Sequence, residues 1–261
     1  MKSTLVKIII GLVVVAVIAV VALMLSLNSI VKQGVTSFGP EVIKAPIQLD
    51  GVSISALSGS GEIRGLVIGN PEGFKTPNAV KLGTASLQVK PMSLLGDKIV
   101  VQSIKADGAE ITFEGSLSGS NLSKIQENVD AYVAALLGPA DKDGKTEQKS
   151  AAPGKKLQVD EIVISNAKIN LSMTILGGKS ATVPLPDIKL TGLGQGEQGV
   201  TPAEVIKVVL KEVMTKTTSA VGGFLSGAGK ALLDGAKDVG GAAADAAKSV
   251  TKGIGDLFKK K

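Results

Sequence analysis

The constraint that dominates this chain is a run of aliphatic residues close to its start. Ile8 to Leu25 reads IIIGLVVVAVIAVVALML, without a charge or a hydroxyl, and extension through Ser26 to Leu27 makes 20 residues. A helix of that length rises about 30 Å, the thickness of a bilayer's hydrocarbon core. A cleaved signal peptide has a shorter apolar region followed by a small-residue cleavage site, and Met24-Leu25-Ser26-Leu27 is a poor one. A buried soluble helix would show a polar face. The run therefore predicts a retained transmembrane helix from Ile8 to Leu27. Lys2 and Lys7 precede it and Lys32 and Lys44 follow, a mild bias toward a cytoplasmic N-terminus. No second run approaches spanning length, so nearly all the mass is expected on one side of the bilayer.

What the chain lacks narrows its chemistry. It has no Cys and no His, which removes disulfides, thiolate sites, the commonest metal ligand and the usual near-neutral base. Its net charge is +6, yet Arg64 is the only arginine and aromatics make up 2% of the residues. Nucleic-acid readers combine arginine forks with stacking aromatics, so no nucleic-acid partner is expected. A diffuse lysine surplus suits solubility or contact with anionic lipid heads. The glycines of Gly59-Ser-Gly61-Glu-Ile-Arg-Gly65 are spaced GxGxxxG and precede a strand, whereas a phosphate cradle needs amides at a helix N-terminus. Glu62, Glu72, Glu110 and Glu114 are the candidate carboxylates; three fall on polar strand faces, and Glu62 is placed to pair with Arg64. No catalytic residue, cofactor or metal is expected.

The rest of the chain reads as α+β. A stalk, 29–45, is expected to start helical and to end at Gly39-Pro40. Val52–Leu57, Glu62–Gly69, Leu82–Lys90, Lys98–Ala106 and Ala109–Glu114 read as strands separated by turn signals. Ala85, Leu87 and Val89 alternate with polar residues, as do Ala109, Ile111 and Phe113, so one face of each strand meets an apolar environment. A helix is predicted over 121–137, and the polar segment 138–156 reads as a flexible linker. Residues 157–172 then align without gaps on 99–114: Val101, Ile104, Ala109 and Ile111 coincide with Val159, Ile162, Ala167 and Ile169. This internal repeat predicts two copies of one hairpin unit. Val183–Leu190 carries prolines that only an edge strand tolerates. Thr201-Pro202-Ala203-Glu204 opens a capped helix expected to run to about Thr217, within a second module of 157–217. The segment 218–261 is an Ala/Gly/Lys tail, amphipathic or disordered, whose glycines disfavour an isolated helix.

Taken together, these features resemble something specific. The anchor (1–28), the stalk, GEIRGLVIGNPEGF (61–74), the turn at Ser93-Leu94-Leu95 and the strand pair 99–114 resemble the N-terminal module of the AsmA-like family. Those bacterial envelope proteins are related to TamB and to chorein-type lipid-transfer proteins. VPLPDIKLTGLG (183–194) is similar to the closing part of short members.

The resemblance implies a curved antiparallel β-meander over 46–137 with one helix packed on it and a C-terminal helical segment. It also implies a single-pass protein of the bacterial inner membrane, its N-terminus cytoplasmic and its bulk periplasmic. Its function would be to shield or transfer lipid, or to support outer-membrane biogenesis, with membrane lipid and envelope proteins as partners. The implied apolar groove would be lined by Ala85, Leu87, Val89, Ile111, Phe113, Ile169, Leu171 and Met173. The alternative is an anchored interaction module with a closed β-sandwich-like core and no lipid cargo.

Overall fold

A computed structural model describes residues 27–55, 57–116, 119–137, 155–173 and 180–237. The predicted span up to residue 26, most of the linker and the tail beyond 237 lie outside the described residues. Among those described, no helix is long and apolar enough to cross a membrane.

The first element, α1, covers residues 27–43 and does not end at Gly39-Pro40. A π turn, Gly34–Phe38, interrupts it, and a last α-helical stretch follows at Gly39–Ile43 with Pro40 in its first turn. The wide turn breaks the usual hydrogen-bond ladder just where the proline ring and its missing N–H would otherwise be costly. The helix stops at Lys44, which is left-handed at φ 53° and donates its N–H to Pro40 O at 2.9 Å.

The strands are β1 (Ile47–Ile54), β2 (Ser60–Gly69), β3 (Asn78–Val89), β4 (Lys98–Asp107), β5 (Glu110–Ser116), β6 (Gly119–Ser120), β7 (Lys156–Ser165), β8 (Lys168–Met173), β9 (Ser180–Pro184) and β10 (Ile188–Leu193). The helices α2 (Asn121–Leu137) and α3 (Pro202–Lys237) complete the fold. All ten strands join one open sheet. It is mixed, which corrects the expected antiparallel meander: β4 lies parallel to β7, and β5 parallel to β8.

The internal repeat accounts for that mixture, though its units are not hairpins. β4 and β5 both run antiparallel to β3, and the register carries straight through their junction, Thr84 opposite Asp107 and Lys81 opposite Glu110. They form a single strand creased at Gly108, where φ is 67°. β7 and β8 form a second such strand, creased at Asn166 with φ 53°. The two lie side by side so that Val101 pairs with Val159, Ile104 with Ile162 and Ile111 with Ile169. Every repeated residue therefore neighbours its own equivalent. β9 and β10 continue the pattern, antiparallel to β8 and β7, with the break at Leu185-Pro186-Asp187.

A left-handed residue slips the inside–outside alternation by one position. Ala106 and Ala109, three apart, are consequently both buried, so the apolar stripe stays on one face while the sheet bends. Gly108 suits the conformation because it has no Cβ. Asn166, a residue type that tolerates it, is held there by donating its Nδ2 to Asp107 at 2.7 Å. That bond and one from Ser165, the larger influence, hold the Asp107 carboxyl below its ordinary range.

The opposite face of the sheet, with Ser53, Ser86, Ser103 and Lys105, is polar. The apolar face carries α2 and α3. Leu122, Ile125, Val129 and Val133 of α2, at helical spacing, are all buried in the main core. Thr201 and Glu204 cap α3 reciprocally: Thr201 N–H donates to Glu204 Oε2 at 2.6 Å and Glu204 N–H to Thr201 Oγ1 at 3.2 Å. The helix continues past Thr217 to Lys237, further than its glycines suggested. Packing supplies what propensity withholds: Thr217 and Val221 are fully buried.

Candidate functional site

The sheet has two ends, and the hydrogen bonds distinguish them. Asn28, at the start of α1, accepts from Ile54 N–H at 2.7 Å, and Lys32 donates to Asp50 O at 2.8 Å. α1 thus runs back along the edge strand β1, and its start shares an end with the β1–β2 turn. The β3–β4 loop joins that end, because Val89 N–H donates to Gly59 O at 2.7 Å. The strand directions add the first residues of β7 and, across the sheet, the entry to α3. We call this the proximal end; the β2–β3 loop and the start of α2 form the distal end.

A cleft encloses about 690 Å³ between α1, the C-terminal turn of α2, the start of α3 and strands β1, β4 and β7. Small-ligand sites span about 300–1,000 Å³. Val31, Val35, Phe38, Ile47, Ile99, Tyr132, Leu136, Leu157 and Ile206 give it an apolar wall, with Lys155 and Lys156 at its border. Phe38 and Tyr132 meet edge to face, their ring centroids 5.6 Å apart. Burial in this wall pushes the Tyr132 hydroxyl above its ordinary pKa, and the Glu41 carboxylate adds to the rise.

This is not the groove the sequence suggested. Ala85, Val89, Ile111, Phe113, Ile169 and Leu171 are buried, the last two at 0% and 1% exposure, and Leu87 is half-buried. The Met173 side chain lies outside the described residues. Ile111, Phe113, Ile169 and Leu171 pack in one core with the apolar stripe of α2 and with Ile206 and Val209 of α3. Leu87 and Val89 belong to a second cluster with Val101 and Val159. Those strand faces are core, covered by helix. The cleft was missed because its wall comes from elements far apart in sequence, although Val31, Val35 and Phe38 already stood at helical spacing within the stalk.

The carboxylates have local roles. Glu62 pairs with Arg64 at 3.3 Å on an exposed strand face. Glu114 clamps the distal loop, accepting from the N–H of Lys75 at 2.8 Å and from the N–H and hydroxyl of Thr76 at 2.7 and 2.6 Å. Burial raises its pKa, but these bonds and the Lys75 charge outweigh it and hold the carboxyl below its ordinary range. Beside it, the fully buried Asn121 accepts from Glu114 N–H and donates to Asn70 Oδ1 and Thr112 O. The GNPEGF segment thus belongs to the clamped distal loop.

No family model matches this sequence, and neither a curated protein nor a solved structure matches the chain.

Proposed function

We propose that this chain is a membrane-anchored, non-enzymatic protein of the bacterial envelope that shields or hands on lipid. An acyl chain would seat in the proximal cleft instead of along the sheet. The observation that carries this reading is a cleft of acyl-chain character, about 690 Å³ with an apolar wall, bordered by α1, which follows the aliphatic run in sequence. The family resemblance supplies the periplasmic side and the single-pass topology. Lys155 and Lys156 at the border suit the anionic head of a membrane lipid.

The test is photocrosslinking of the full chain in nanodiscs containing a phospholipid with a diazirine on its acyl chain. Crosslinks are expected on peptides containing Val35, Tyr132 and Ile206, in addition to those on 8–27. Filling the cleft with Val31→Trp should reduce the cleft crosslinks by about tenfold and leave those on the span unchanged. Label confined to 8–27 would sink the lipid-seating reading. It would favour the second reading, an anchored interaction module with a closed core, which the full burial of Ile169 and Leu171 supports.

A further inference from the structure

The three most exposed large apolar side chains among the described residues are Leu57 at 80%, Leu95 at 77% and Met92 at 72%. A single exposed leucine is ordinary on a soluble surface. These three, however, share one end of the molecule. Leu57 tips the β1–β2 turn, and Met92 and Leu95 tip the β3–β4 loop. The two loops are bonded through Val89 N–H to Gly59 O and Gln88 Nε2 to Ser58 O, each 2.7 Å. The β3–β4 loop is also internally fixed: Ser93 Oγ donates to Lys90 O at 2.6 Å and accepts from Val100 N–H at 2.9 Å. Leu94 packs inward against the second core cluster while its neighbours Met92 and Leu95 stay outward. The tips are held out by structure.

We infer that these loops dock the proximal end onto the lipid bilayer that holds the chain's own anchor. The partner follows from where the chain goes. The described part of α1 opens at residue 27, the last residue of the aliphatic run, and Asn28 is bonded to Ile54 N–H. Leu57 lies three residues beyond Ile54, a reach of no more than about 10 Å. A bilayer receiving the run would therefore meet the Leu57 tip first. Lys90 and Lys155 are exposed around the loops, with the Lys155 ammonium donating to Leu94 O; Asp97 and, across the sheet, Glu197 are exposed acids of the same end. Apolar tips with Lys90 and Lys155 beside them match an acyl layer beneath anionic heads. Docking would bring the border of the proximal cleft to the lipid surface, so cargo would pass between bilayer and cleft without crossing open water.

The inference rests on the anchored reading above but not on lipid occupying the cleft. Because the chain has no cysteine, single Leu57→Cys, Met92→Cys, Leu95→Cys, Glu72→Cys and Val14→Cys variants of the full chain label cleanly with an environment-sensitive fluorophore. In vesicles containing shallow nitroxide-labelled phosphatidylcholine and one-third phosphatidylglycerol, positions 57, 92 and 95 should be quenched roughly threefold more than position 72 at the distal end. Quenching at position 14 with positions 57, 92 and 95 as unquenched as 72 would overturn docking and leave anchoring intact. No quenching at position 14 would overturn the anchored reading, and this inference with it.

Discussion

At the distal end Asn121 is fully buried, yet each of its polar side-chain atoms is used, on Glu114, Asn70 and Thr112. At the proximal end Leu57, Met92 and Leu95 are exposed, and the cleft bordered by the start of β7 and the entry to α3 has a mainly apolar wall. One end is closed by hydrogen bonds that need one geometry; the other presents apolar surface indifferent to geometry but not to water. Stability and binding capacity are thereby separated along the same strands. A buried polar network is costly to disturb because each member left unpaired has no water to turn to. An exposed apolar tip can be changed with little effect on the fold.

Breaking the distal network should have the largest effect. Asn121→Leu keeps the γ-branched shape but strands Thr112 O, Asn70 Oδ1 and Glu114 N–H, and should lower unfolding stability by about 3 kcal/mol, measured by urea denaturation of the full chain in detergent. Next comes Glu114→Gln, which keeps one acceptor oxygen and should cost about 1–2 kcal/mol in the same assay.

The same variant tests the charge. Glu114 titrates lower in the folded chain than in the unfolded one. Its contribution is therefore present above the ordinary carboxylate pKa and disappears as pH falls through the folded value. The wild-type midpoint should drop further than the Glu114→Gln midpoint between neutral and acid pH. Asp107 and Glu161, also held low by their hydrogen-bond partners, remain in both proteins and cancel in the difference.

Arg64→Ala, away from both ends, removes an ion pair whose partners are 58% and 45% exposed, and should change stability by no more than about 0.5 kcal/mol. Leu95→Ser should leave the denaturation midpoint within error while reducing quenching of a probe at position 57. A loss of stability comparable to that of Asn121→Leu would erase the contrast between the ends.

Much of the architecture was legible because it depends on local pattern. The stripe Leu122, Ile125, Val129 and Val133 placed α2 correctly, and Thr201 with Glu204 marked the start of α3. Glu62–Arg64 was visible as two opposite charges on one strand face. The repeat was legible too, but its geometry was not. Gly108 and Asn166 look like turn residues, and only their left-handed backbone within a continuous register shows that they crease a strand instead of reversing it. Strand alternation likewise announced an apolar face without saying what would cover it.

By itself the sequence determined where apolar stripes run, where helices begin, and that a 20-residue aliphatic run precedes everything described. Such features follow from neighbours within a few positions, where periodicity and capping operate. Tertiary structure alone decided that the sheet is mixed, that α2 and α3 turn the expected groove into core, and that Val31, Tyr132, Leu157 and Ile206 meet around one cleft. Those outcomes depend on which of several equally apolar faces meet, and burial rewards apolar area without regard to where in the chain it comes from.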